Sequence, residues 1–332
     1  MNRVVNKLCF NVVLAALLAA ASALLPDATA RADDWPTHNL RILVPFPAGG
    51  SSDTQARVIA DELSKKLGKP VVVENKPGAG GNLAASEAAH AAPDGTTLYM
   101  GTTSTNAANV NLYDKLSYDP VKDFQPLTLV TVYPQVITPG DRFKGLDLAA
   151  LIAAIKAQGD KLNFGSSGVG SPTHLGGELF NRETGTRLMH IPYRGQGPAI
   201  TDMLGGRLDM MFPSVPDALP MLQSGQMRAI AIMADKRSPL LPNVPTTKEL
   251  GYPTLLSAIW GAMYTTAGTP KPVVDRLSKE LAEIVDSPAF KDKFEAMGYE
   301  VRSTTPEQLA VFAAAETKRW GDIIKALDIK LN

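Results

Sequence analysis

The sequence predicts an α/β protein of two lobes joined by two extended crossings, and three observations carry that expectation. Short apolar runs suited to strands alternate with helical periodicities along most of the chain. Two longer extended runs, residues 127–138 and 258–265, separate a first α/β series from a second and lead back out of it. Loops rich in Gly, Pro and Ser follow the early strands and open directly onto helices, the arrangement in which open α/β folds bind ligands.

In order, residues 41–46 read as a strand. Residues 54–67 read as a helix, with Ala56, Ile59, Ala60, Leu63 and Leu67 on one face, Ser51 or Ser52 as its cap, and Gly68 and Pro70 as its stop. Residues 71–74 are expected as a short buried strand, 82–92 as an alanine-rich helix and 97–101 as a third strand. Strands separated by single helices imply parallel pairing, so the loops after these three strands fall at one sheet edge. The second series is expected as helix 147–158, strand 161–165, helix 175–184, strand 187–192, helix 199–204, and strands 207–212 and 227–233. Pro-rich irregular chain fills 238–253. Helices at 272–285, 288–297 and 307–327 close the chain, the last announced by Thr305-Pro306-Glu307-Gln308, a capping box with proline at the first helical position.

The loop Phe46-Pro47-Ala48-Gly49-Gly50-Ser51-Ser52-Asp53 joins strand to helix directly. Such a junction aims unpaired backbone N–H groups and the positive helix end at one point, which favours a small anion. Gly78-Ala79-Gly80-Gly81-Asn82 and Gly165-Ser166-Ser167-Gly168-Val169-Gly170-Ser171 repeat the arrangement.

The first 32 residues read as a secretory signal peptide: Arg3 and Lys7, an apolar core from Val12, and Ala30-Arg31-Ala32 as the cleavage motif, with cleavage after Ala32 and a periplasmic destination. The one cysteine, Cys9, lies in that leader, so the chain after Ala32 has neither disulfide nor thiolate chemistry. The 332-residue chain has zero formal net charge and no long run of one sign, which argues against nucleic acid as a partner.

Catalytic motifs are missing. Gly165-Ser166-Ser167-Gly168-Val169 ends in valine where a nucleophile elbow has glycine, and no phosphate-binding G-x-x-x-x-G-K-[ST] occurs. The four histidines, His38, His90, His174 and His190, lack metal-ligand spacing, so neither metal nor cofactor is expected.

The motifs Pro45 to Arg57, Glu74 to Asn82, Pro93-Asp94-Gly95-Thr96-Thr97-Leu98, Tyr193-Arg194-Gly195 and Leu204-Gly205-Gly206-Arg207-Leu208-Asp209 occur in that order. With them the chain resembles the Bug-type solute receptors of tripartite tricarboxylate transporters over essentially its whole length after the leader. The resemblance implies a bilobed type II periplasmic-binding-protein fold with mixed or parallel sheets, its lobes at 33–133 plus 262–332 and at 134–261. It also implies a monomer that captures a small dicarboxylate, tricarboxylate or aromatic carboxylate between the lobes and serves membrane permease subunits.

Each candidate site residue also has an ordinary structural reading. Gly49, Gly50, Ser51 and Ser52 cradle a carboxylate or merely start a helix; the resemblance favours the cradle, with Phe46, Pro47 and Ala48 beside it. Asp53 caps, pairs with Arg57, or accepts from a ligand donor. Gly78, Ala79, Gly80 and Asn82 form a second cradle or a plain turn. Thr102, Thr103 and Ser104 add donors or cap. In the second series, Ser166, Ser167, Gly168, Ser171 and His174 surround another helix start. Tyr193 lines the cleft or packs, and Asp209 organises water or structure. Phe46, Tyr193 and Trp260 would suit an aromatic ligand. The alternatives are an exported α/β hydrolase or lyase using Ser171 or Ser104 with His174, and a ligand-binding signalling protein of the same fold.

Overall fold

A computed structural model describes residues 35–331; the leader and its cleavage motif lie outside the described residues. The elements run β1 (Leu40–Val44), α1 (Ser51–Leu67), β2 (Val71–Asn75), α2 (Asn82–Ala89), β3 (Thr97–Thr102), α3 (Asn109–Leu112) and β4 (Phe124–Pro134). There follow β5 (Val136–Pro139), α4 (Leu148–Gln158), β6 (Asn163–Ser166), α5 (Pro172–Thr184), β7 (Met189–Pro192), α6 (Gln196–Leu204), β8 (Met210–Met211), α7 (Val215–Gln223) and β9 (Ala231–Ile232). The chain ends with β10 (Ala258–Thr266), α8 (Lys271–Asp286), α9 (Pro288–Glu295), β11 (Glu300–Val301) and α10 (Pro306–Leu327).

Two sheets organise these elements. The first has the order β11-β4-β10-β3-β1-β2 and the second β7-β6-β8-β5-β9. β1 pairs parallel with β2 and β3, so their following loops do leave from one edge. β10 runs antiparallel to both β3 and β4, which makes the sheet mixed. The first crossing occurs at Gln135, between β4 in one sheet and β5 in the other. The second occurs at Ser257, immediately before β10, and β10 itself belongs wholly to the first sheet.

The crossings are bound to each other. Gln135 N donates to Ser257 O at 3.0 Å, and Ser257 N to Met233 O at 2.9 Å. The fully buried Gln135 side chain donates to Phe212 O at 2.7 Å and accepts from Ser257 Oγ. A buried amide with both ends satisfied stabilises one arrangement of the crossings against others.

Each sheet has its own core. Leu43, Tyr99, Trp260, Tyr264 and Trp320 are buried on the first, and Ile137, Leu151, Phe164, Phe180 and Phe212 on the second. The C-terminal helix α10 touches both: Ile324 is buried in the first core, while Ile323 packs against the second.

Several expected elements are corrected. α1 begins at Ser51 rather than at Thr54, and its cap is Gly50, which supplies no side-chain bond. Ser51 and Ser52 therefore sit inside the first turn instead of capping it. β2 is only half-buried because it is the edge of its sheet. The strands expected at 207–212 and 227–233 shrink to two residues each, since β5 offers β8 and β9 only two paired positions apiece. Helix α7 was not expected at all, because its Pro216 and Pro220 look like helix breakers.

Candidate functional site

A cavity of 460 Å³ lies between the two sheets, lined from the first by the loop Phe46–Ser52, Thr102, Tyr133 and Ile259. From the second come Ser167, Pro172, Thr173, the segment Arg194–Pro198, Ile200, Asp217 and Met221. Four helices begin at this cavity: α1, α5, α6 and α7.

Their caps divide them into two kinds. α5 is capped by Ser171 Oγ and α7 by Ser214 Oγ, each accepting from a first-turn amide. α1 and α6 start at Gly50 and Gly195, with no side-chain cap. In α1 the first intrahelical amide bond is Thr54 N to Gly50 O, at 3.0 Å, so the N–H groups of Ser51, Ser52 and Asp53 have no intrahelical acceptor. The two uncapped helix starts come from opposite lobes and face the same space. A Cβ placed on Gly195 would lie 3.8 Å from the Pro47 ring, and the residue's φ of 110° itself favours glycine.

The first loop is held from behind. Asn75 Nδ2 donates to Phe46 O at 3.0 Å. Asp53 Oδ2 accepts from Gly49 N and from Arg57 Nε, both at 2.9 Å. Burial opposes the Asp53 charge, but Arg57, the Gly49 amide and Asn75 outweigh it and keep the carboxyl below the usual range. Asp53 thus fixes the loop's shape and does not line the cavity.

The opposite wall offers free polar groups. Both amide atoms of Gln196 are buried without a hydrogen-bond partner, and the residue lines the cavity. Arg194 lines it too; it is exposed and makes no ion pair among the described residues. Asp217 Oδ1 accepts from Ser51 Oγ at 2.9 Å across the lobes, and Oδ2 from Ser214 Oγ at 2.7 Å. Burial raises the Asp217 carboxyl above its usual range despite these two hydroxyls.

Of the residues singled out by sequence, the cavity gathers Phe46, Pro47, Ala48, Gly49, Gly50, Ser51, Ser52, Thr102 and Ser167. The others stand behind it or elsewhere. In the turn Gly78-Ala79-Gly80-Gly81-Asn82 it is Gly81 that packs behind the first loop, where a Cβ would meet Pro45 and Thr105; Gly78 lies against Leu83, Gly80 against Tyr113, and Asn82 accepts from Asn109 and Tyr118. Thr103 accepts from Trp260 N at 2.9 Å, and Ser104 is fully buried. Ser166 and Gly168 bond each other, and Ser171 caps α5. Tyr193 donates to Asp202 at 2.8 Å; Asp209 accepts from Arg142 at 2.7 Å and from Asn163 N at 2.9 Å. Trp260, considered for an aromatic ligand, is fully buried core instead.

Sequence reasoning missed Gln196 and Asp217 and did not count Arg194 among the site residues. Two signals were available: Gly195 repeats the glycine-then-helix junction of the first loop, and Ser214-x-x-Asp217 has a capping-box spacing.

The serine–histidine pairs needed for hydrolysis are not assembled. Ser171 Oγ bonds the His174 backbone, while His174 Nδ1 accepts from Gly170 N. The serine that does meet an imidazole is Ser166, with Oγ 2.6 Å from His190 Nε2, and it is fully buried beneath the loop. Among the described residues, no group of His, Cys, Asp or Glu could hold a metal ion. A second cavity, of 870 Å³, lies behind the crossings; its lining mixes the carboxylates Asp235, Glu295, Glu300 and Glu316 with the cations Lys236, Arg237 and Arg319, of which Arg237 and Arg319 are already paired with Glu249 and Glu316.

A bilobed α/β fold with convergent helix starts at the interlobe cleft defines the class of periplasmic solute-binding proteins. The family model for the tripartite tricarboxylate transporter family receptor matches residues 55–329. The chain is 37% identical over 301 residues to protein BugT of Bordetella pertussis, covering 90% of this chain and 92% of that one. Among solved structures it is similar to R. palustris Rpa4515 with adipate (33% identity, TM-score 0.85, covering 90% and 99% of the two chains). It is also similar to MatC from Rhodopseudomonas palustris with bound malate (35% identity, TM-score 0.82, covering 87% and 100%). The chain belongs to the Bug-type receptor family of tripartite tricarboxylate transporters, a family of periplasmic solute receptors and not of enzymes.

Proposed function

We propose that this chain captures a small organic carboxylate in the interlobe cavity and presents it, unchanged, to the membrane permease subunits of a tripartite tricarboxylate transporter. It acts as a monomer in the periplasm after cleavage behind Ala32. The observation that carries the reading is the pair of uncapped helix starts, α1 and α6, that face the cavity from opposite lobes. Each carries about half a positive charge and free amide donors. Ser52, Gln196 and Arg194 add donors around them. Charge-assisted hydrogen bonds contribute roughly 1.5–3 kcal/mol each. Four or five of them therefore offset the ordering of ligand and lobes and still reach micromolar affinity, about −8 kcal/mol.

In this reading the lobes follow the two sheets, residues 35–134 with 258–331 and residues 136–256, so the expected bounds at 134 and 262 move to the crossings at Gln135 and Ser257, where the hinge lies. The named ligands of the similar structures, adipate and malate, are carboxylates and support the ligand class. The test is calorimetry with a panel of di-, tri- and aromatic carboxylates, followed by recovery of the bound compound. Saturable binding with the compound recovered intact supports the reading. Conversion of the compound, or no binding by any carboxylate, refutes it.

A further inference from the structure

We propose that Asp217 makes this cavity selective for a carboxylate that also carries a hydrogen-bond donor, a hydroxyl or an ammonium group, over unsubstituted and dianionic carboxylates of the same length. The inference rests on the receptor reading and narrows its ligand class.

Asp217 is the one carboxylate among the lining residues of a cavity whose other polar groups mostly donate. No Lys, Arg or His lies within ion-pair distance of it among the described residues; its side-chain partners are two hydroxyls, Ser51 and Ser214. An ionised carboxylate has about four acceptor positions, so two hydroxyl donors leave others free. The α1 and α6 amides attract one ligand carboxylate. A second ligand carboxylate placed near Asp217 would bring two like charges together in a partly desolvated space, which is unfavourable. A hydroxyl or ammonium there would instead meet the unfilled acceptor positions. The anchoring geometry fixes where this happens. Ser51 belongs to the first turn of α1 and Ser214 caps α7, so Asp217 is held beside the anion-binding helix start and cannot swing away without losing both bonds.

The experiment uses two matched series on the purified full chain, measured by calorimetry: hexanoate, 6-hydroxyhexanoate, 6-aminohexanoate and adipate; and butyrate, 4-hydroxybutyrate, 4-aminobutyrate and succinate. In the series of better-fitting length, the hydroxyl or ammonium compound is expected to bind at least tenfold tighter than both the methyl-ended and the dicarboxylate compounds. An ammonium preference marks an ion pair with Asp217, and a hydroxyl preference a neutral donor; either supports the proposal. In Asp217→Asn, with folding checked by circular dichroism, the dicarboxylate is expected to gain at least tenfold relative to the donor compound. A wild-type chain that binds adipate or succinate tightest overturns the proposal and leaves the receptor reading standing. So does a ranking unmoved in Asp217→Asn. Binding of none of the eight compounds overturns the proposal, and the receptor reading falls with it only if the wider carboxylate panel is also silent.

Discussion

Acid should loosen the second lobe through one pair of imidazoles. His174 and His190 stack at 3.9 Å beneath the loop after β6, against the Phe164 ring. Burial, with His190 adjacent, lowers His174 to about 3, and burial lowers His190 to about 4. An exposed imidazole in the unfolded chain titrates near 6.5. The unfolded state therefore binds more protons between that value and the folded ones, and stability that is full above pH 6.5 is lost as pH falls through the window down to 4 and 3. Between pH 7 and pH 5 each imidazole that stays neutral when folded subtracts about 2 kcal/mol. Because His190 is only half-buried, a total of about 3 kcal/mol is the fair expectation. Glu178, 3.8 Å from His174 Nε2 and raised by burial, works in the opposite sense, taking up its proton first in the folded state. So does Asp217. The assay is urea denaturation at pH 7 and pH 5 for wild type and for His190→Asn, whose pH dependence should shrink. Histidine carbon resonances on the folded wild type check the premise without a variant. Either imidazole titrating near 6.5 in the folded chain, or a pH dependence in His190→Asn as large as in wild type, would refute the reasoning.

Other expectations concern the cavity and its scaffold. Ser51→Ala with Ser52→Ala should weaken carboxylate binding several-fold by calorimetry while the melting curve keeps its shape. Gln196→Ala should weaken it about tenfold, the loss of one hydrogen bond to a charged group. Unchanged affinity would place the ligand elsewhere. Gly177→Ala should destabilise the second lobe by about 1–3 kcal/mol in denaturant titration. Its Cβ would stand 2.2 Å from the buried Phe164 ring, more than the helical preference of alanine offsets.

The parts of this architecture that were legible are those governed by local rules. The strand–loop–helix junction at 44–51, the parallel trio β1, β2 and β3, and the Thr305–Gln308 capping box follow from residues adjacent in sequence, and the box is present with both its bonds. What was not legible depends on distant partners. Whether Ser51 caps a helix or reaches another lobe is decided by Asp217, 166 positions away. Whether Tyr193 lines the cleft or packs was open in the sequence, and its hydroxyl goes to Asp202. The polar groups of the second wall were hidden because prolines in α7 concealed the helix that carries Asp217, and because a glutamine has no distinctive spacing. Asp53 and the 78–82 turn illustrate a further gap: sequence marks residues that shape a loop as readily as residues that touch what the loop holds.

The central claim is that backbone amides at two helix starts grip the ligand's carboxylate. Amide resonances of the 15N-labelled chain, followed while adipate or 6-hydroxyhexanoate is added, test it most directly. The account predicts that the largest shifts fall at Ser51, Ser52 and Asp53 and at Gln196 and Gly197, together and with one saturation curve. Saturable binding that leaves these five amides unmoved would contradict it.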